Sequence, residues 1–342
     1  MMEQKWKGPE KPTIIERVAN LFPGPFFIKC LLFWIVFGTP GLVLSRYVDT
    51  LNIDKTLALF DHVTPQNVFI FSLANFIIPL YAFYGTRYMR VKIVDTIPQL
   101  EPVTVNGKAA LRKIFDPVSR SWPALVLAGA FGAVSLLSLP GQTQHVLGYV
   151  SLIIKVVGFS FIMLSYGTFV WMYVSSIRGL YRLGKERLCF VSYYEDAHMG
   201  MKPLGSISLS FAWMYFVGLT LTFFSVNPLP IPILVAILAL ILLGVILFFF
   251  PAYTVHERMV REKQAAEKAL LNRLPRIMRA VDHREDHPDE IADLVMFQTL
   301  EQKVCKISEW PFDVKTLSWF SAIVLSVLGT EITRFVLGVT GL

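Results

Sequence analysis

Long apolar runs occupy residues 26–47, 67–86, 122–140, 146–177, 206–226, 231–255 and 314–337, each separated from the next by a polar or charged segment. A helix needs ~20 apolar residues to cross a hydrocarbon core of ~30 Å, and only an internally bonded backbone is tolerated there. The pattern predicts an all-α fold, a polytopic membrane helix bundle with seven transmembrane helices. The third run is short and rich in Gly and Ser.

Lysine and arginine divide the connections into two kinds. Four precede the first run, then one falls in 48–66, seven in 87–121, none in 141–145, five in 178–205, none in 227–230 and ten in 256–313. Basic connections stay in the cytoplasm, so the N-terminus is predicted to be cytosolic and the C-terminus outside. This is the reverse of the orientation of G-protein-coupled receptors. The short outer connections at 141–145 and 227–230 predict tight antiparallel helix pairs.

Three parts follow from this order: residues 1–255 as a membrane domain with six spans and cytosolic loops, 256–313 as a cytosolic helical hairpin, and 314–342 as the terminal seventh span. In the hairpin, helix-favouring sequence from Glu257 to Leu274 resumes directly after Pro251, so the sixth helix is expected to project beyond the membrane. Met259, Ala266, Leu270 and Ile277 recur at near-helical spacing. A second helix starting at Pro288, with Asp289 and Glu290 in its first turn, carries Leu294, Phe297, Leu300, Val304 and Ile307 at three-and-four spacing. Pro40, Asn75, Pro79 and Pro251 mark expected kinks.

Composition agrees with lipid as the solvent. Hydrophobic residues make up 54% of the chain and charged residues 17%, with a mean hydropathy of +0.54, whereas soluble domains carry about 25% charged residues. The net charge of +7 sits beside apolar runs and is assigned to topology and to anionic lipid heads, so no nucleic-acid partner is expected. Cys30, Cys189 and Cys305 fall in or on the cytosolic side, where thiols stay reduced. The first run lacks a small-residue cleavage site and is expected to serve as an uncleaved anchor. The expected location is the cell membrane, multi-pass.

The candidate chemistry is concentrated near the last span. Pro311 disfavours helix at Trp310, so the cytosolic helix is expected to end there, with Asp313 as N-cap of a helix that starts at Val314. Trp310 and Phe312 suit the headgroup layer, which makes Trp310, Pro311, Phe312 and Asp313 a structural corner. Ser318, Ala322, Ser326, Gly329 and Thr333 are spaced four, four, three and four apart and form a small-residue stripe, suited to close packing or to a water-lined path. Glu331 and Arg334 are placed to pair with each other, or Glu331 to form an acidic ring in an oligomer. Lys155 is expected to snorkel to the outer surface.

Other polar groups carry less. His283 and His287, with Asp282, Glu285, Asp286 and Asp289, read as a solvated turn, as do Tyr193, Tyr194, Glu195, Asp196 and His198. No nucleophile elbow, P-loop, zinc-protease helix, Rossmann glycine run or Cys-x-x-Cys is present. Neither an enzyme nor a cofactor or metal is expected.

The run Phe297-x-x-Leu300-Glu301, followed by Ile307-Ser308-Glu309-Trp310-Pro311-Phe312-Asp313 and a terminal span, resembles the C-terminal end of a group of uncharacterised prokaryotic multi-pass membrane proteins. That resemblance implies a shared architecture. Seven spans, a cytosolic extension of span six and a cytosolic helix leading into span seven are also similar in topology to the insect odorant and gustatory receptors. Members of that family are oligomeric ligand-gated cation channels whose last span lines the pore; here the matching stretch reads Gly329-Thr330-Glu331-Ile332-Thr333-Arg334-Phe335, without the gustatory signature pairs. The expected function is therefore an oligomeric ion channel or transport protein, a homo-oligomer held through the hairpin and span seven. The alternative is a non-catalytic membrane receptor or scaffold that recruits cytosolic partners.

Overall fold

A computed structural model describes residues 8–37, 65–137, 146–192, 195–223, 231–282 and 288–340. Among these, the helices are α1 (Ile14–Ala19), α2 (Phe26–Phe37), α3 (Pro65–Leu100), α4 (Gly107–Phe115), α5 (Ser121–Leu137), α6 (Val146–Lys185), α7 (Lys202–Phe223), α8 (Ile231–Asp282), α9 (Pro288–Cys305) and α10 (Val314–Thr340). No strand occurs among the described residues; Thr104 and Leu188 form an isolated antiparallel bridge. The fold is all-α.

Among the described residues three helices are long and apolar enough to cross a membrane: Lys202–Phe223, Ile231–Asn272 and Val314–Leu337. This points to a membrane location. The other predicted spans also coincide with helices, but α2 is described for 12 residues and α5 has 17, fewer than the ~20 that a bilayer asks for. The side chains in the apolar first halves of α3 and α6 are largely outside the described set. Half of the α7 span is buried, against 22% for α8 and 17% for α10. Of these three, α7 is the most enclosed, and α8 and α10 present most of their apolar surface outward, as lipid-facing helices do.

Of the segments read from the sequence as loops, 87–121 is largely helical, and 178–205 is helical at its two ends, 178–185 and 202–205. Helix α3 runs on to Leu100, passing through Pro79 and Pro98 without a break, and α6 continues to Lys185. The reason is amphipathic spacing: Met89, Ile93, Ile97 and Leu100 lie on one face of α3 and are buried with Leu111 and Phe115 of α4, Leu180 and Leu183 of α6, Leu204 and Ile207 of α7, and Val255 and Met259 of α8. The largest buried cluster is therefore built from basic connecting segments as well as from spans. Helix α8 is unbroken over 52 residues through Pro251 and Pro275, ~78 Å at 1.5 Å per residue. Its second half projects and carries α9 alongside, where Val304 and Ile307 pack with Met199 near Ala266. Pro40 and the His283–His287 turn lie outside the described residues, as do the side chains of Asn75 and Lys155.

Specific polar contacts gather all four basic segments at one end of the bundle. Thr13 and Glu16 form a capping box on α1. Glu16 also pairs with Arg90 at 2.8 Å, and Glu10 pairs with Arg112 at 2.5 Å. The Cys189 amide donates to the Val103 carbonyl over 2.8 Å, and the Ser308 amide to the Ala197 carbonyl over 2.9 Å. Arg258 of α8 donates to the Lys185 carbonyl over 2.8 Å. N-terminal segment, both connecting segments and the projecting pair thus form one layer.

Candidate functional site

The corner before α10 is fixed from three directions. Helix α9 stops at Cys305, five residues before the end expected at Trp310, and the chain then passes through a turn at Lys306 and bends at 309–311. Its polar groups are taken up locally: Ser308 Oγ donates to the Trp310 carbonyl over 2.7 Å, and Lys263 pairs with Glu309 over 3.0 Å. That lysine's hydrogen bond and charge hold the Glu309 carboxyl below its ordinary range. His256 Nδ1 lies 2.7 Å from the Glu309 carbonyl, a contact in which the ring nitrogen is the donor, while the ring stacks on Trp310 at 4.0 Å.

Asp313 caps α10. Its Oδ1 accepts from the Thr316 amide over 2.7 Å, and Oδ2 meets Lys202 Nζ of α7 at 3.3 Å. Hydrogen bonds from Thr316, hydroxyl first and amide second, with a smaller contribution from Lys202, hold the Asp313 carboxyl down at about 2. The lowered value means that the cap's stabilisation is complete above pH 3.8, the ordinary value, and fades as pH falls below it. Asp313→Ala is expected to cost about 1 kcal/mol, the usual worth of an N-cap. The gap in Tm between the two proteins should hold from neutral pH to about 5 and close below 3.8; a gap that widens in acid contradicts this role.

Phe312 is packed inside the chain, and Trp310 is partly exposed at its edge. Phe312 is 4% exposed and stacks on Phe248 at 4.7 Å, Phe248 stacks on Phe320 at 3.9 Å, and Trp310 packs edge-on against Phe249 at 5.7 Å. An aromatic ring contributes more in such a packed cluster than at an interface where half of it stays wet. The corner also sits against the α7 backbone, since a Cβ on Gly205 would lie 2.5 Å from the Pro311 carbonyl oxygen. Gly205→Ala must therefore move backbone and is expected to cost about 1–3 kcal/mol. A thermal midpoint equal to that of the parent protein would show that the contact is loose.

Helix α10 has two unlike faces. Phe320, Val327 and Glu331 are buried against α7 and α8. On the opposite face Ser318, Ala322, Ser326, Gly329 and Thr333 are all exposed, and a Cβ added to Gly329 meets no atom within 4 Å. The stripe is flanked by large exposed residues, Trp319, Leu325, Ile332 and Val336. Thus the candidate residues divide: the small stripe is free within one copy of the chain, whereas Glu331 is 1% exposed and faces inward. Glu331 Oε2 accepts from Arg334 over 2.9 Å, and Arg334 also donates to the Phe223 carbonyl at the end of α7 over 3.0 Å. The two faces were separable from the sequence, because at 100° per residue Glu331 falls opposite the stripe.

Elsewhere, Asp196 is a turn residue. Its two carboxylate oxygens accept from the amides of His198 over 3.0 Å and Gly200 over 2.8 Å, which stabilises a turn where Met199 and Gly200 take positive φ. Among the described residues no group of three or more His, Cys, Asp or Glu is placed to hold a metal ion, and Cys30, Cys189 and Cys305 are free thiols. Comparison with protein-family models, with curated proteins and with solved structures finds no match to the chain.

Proposed function

We propose that the protein is an oligomeric transport protein of the cell membrane, an ion channel in the most specific form of this reading, with the small-residue face of α10 turned toward neighbouring copies and the pathway. The observation that carries it is the division of α10, one face locked into its own bundle and the other small, hydroxyl-bearing and uncovered. In lipid such a face permits close helix approach, and Ser and Thr hydroxyls suit a hydrated path. Seven spans with a cytosolic N-terminus and an external C-terminus belong to the same reading. Its support is the alternation of basic and non-basic connections together with the gathering of the basic segments in one layer. The similarity in topology to insect receptor channels enters here as an analogy. The inward Glu331 favours a structural pair over an acidic ring.

Recording from purified protein in planar bilayers tests this directly. Unitary currents are expected, and Ser326→Leu, which fills the small face, should reduce them. A folded oligomer that stays silent under varied ions and ligands contradicts the proposal.

A second reading, a non-catalytic receptor or scaffold, is favoured by a shallow depression of about 360 Å³ lined by Tyr253, His256, Glu257, Val260 and Arg261 on one exposed face of α8. It predicts that Val260→Glu abolishes capture of a cytosolic partner and leaves any conductance unchanged. Conductance lost in that variant would count against it.

A further inference from the structure

Helices α6 and α8 run side by side and cross closely: a Cβ on Gly184 would fall 1.9 Å from Thr254 Oγ1. One turn earlier the Tyr181 ring stacks on Phe250 at 5.1 Å, nearly parallel, and Lys185 Nζ sits 4.4 Å over the Tyr181 ring. Arg178, Arg182 and Lys185 follow at i, i+4 and i+7, so they share the face of α6 that holds Tyr181. All three are exposed, and among the described residues none forms an ion pair. Arg258 adds its guanidinium at the C-terminal carbonyls of the same helix, donating to Lys185 and Glu186. Between 178 and 187 four cations stand against one carboxylate, Glu186.

In the other direction the same strip turns apolar. Val174, one turn before Arg178, is 50% exposed, and Ile246, one turn before Phe250, is 51% exposed. The strip therefore passes from aliphatic to aromatic to cationic along its length, in the order of an amphiphile's tail, glycerol region and anionic head. Unpaired guanidinium groups beside stacked rings are well formed for phosphate oxygens, which arginine grips through paired donors.

We propose that this strip binds an anionic phospholipid, with the phosphate between Arg178, Arg182 and Lys185 and an acyl chain along Val174 and Ile246. The inference rests on the membrane placement proposed above, in which the charged end of α6 lies at the inner leaflet. There each cation adds an increment of attraction to acidic lipid.

The test is retention of phosphatidylglycerol against phosphatidylcholine by the full-length protein in neutral detergent, read by native mass spectrometry. The parent protein should prefer phosphatidylglycerol, and R178Q/R182Q/K185Q should weaken its binding by up to about a hundredfold, the combined effect of three surface cations. R178K/R182K/K185R, which keeps the charge, should retain most of it and shows that the strip itself is intact. Equal retention of the two lipids by the parent, or unchanged retention by the glutamine variant, overturns the proposal. Displacement by soluble glycerol phosphate at equal phosphate concentration also overturns it, because the acyl contact would then add nothing. Binding is read without conductance. Protein that holds phosphatidylglycerol but is monomeric and silent contradicts the transport reading alone.

Discussion

Arg334→Leu is expected to destabilise the protein by about 3–5 kcal/mol, the range for breaking a buried ion pair from one side. Glu331 is 1% exposed, and its Oε1 already lacks a hydrogen-bond partner. Removing the guanidinium would strand the carboxylate in a low-dielectric setting, where an unpaired charge costs far more than in water. It would also free the Phe223 carbonyl, which Arg334 ties to α10. The double variant E331Q/R334L should recover much of the loss, because no charge is then left without a partner. Unfolding in detergent with the single and double variants checks this. A single-variant loss below about 1 kcal/mol, the level of an exposed pair, would mean that water reaches Glu331.

Phe248→Ala should be similarly costly, about 3–5 kcal/mol for a buried aromatic truncated to Ala. Its ring lies 3.9 Å from Phe320, 4.7 Å from Phe312 and 4.9 Å from Phe249, so one deletion opens a cavity that α8, α10 and the corner all line. The expected signature is a lowered Tm together with a changed Trp310 emission, since Trp310 leans on Phe249 and Phe312. Trp319 lies outside that cluster and is 58% exposed, so Trp319→Ala should leave Tm nearly unchanged. Equal effects from the two substitutions would contradict the division of α10 into a packed and an uncovered face.

Much of the helical order was legible from apolar periodicity. Each predicted span overlaps a helix among the described residues, three of which are long and apolar enough to cross a membrane, and the cap at Asp313 follows from a proline break next to an apolar run. The layer at the basic end was less legible. Lys and Arg drew the eye to a loop reading of 87–121 and 178–205, while Ile93, Ile97, Leu111, Leu180 and Leu183 supply a buried face that only a partner surface reveals. Helix α9 stops early for a similar reason: Ser308 and Glu309 find partners in the 195–200 turn and in α8, contacts between residues far apart in sequence. Phe312 reads as an interfacial aromatic until Phe248, 64 positions earlier, is seen to stack on it. At 100° per residue the stripe and Glu331 fall on opposite faces of α10, a division the sequence reading did not draw, and spacing does not say which face is covered. That choice is made by α7 and α8.

In the proposed oligomer the uncovered face of α10 meets another copy. Single cysteines at Ser326 and Ala322, introduced after replacing Cys30, Cys189 and Cys305, allow cross-linking in native membranes with a short bis-maleimide. The account predicts efficient cross-linked dimers or higher species from both positions, and none from a cysteine at Val327, which is 8% exposed and faces its own bundle. Monomer only from Ser326 and Ala322, with both cysteines labelled by a small maleimide, would show that lipid covers this face and would contradict it.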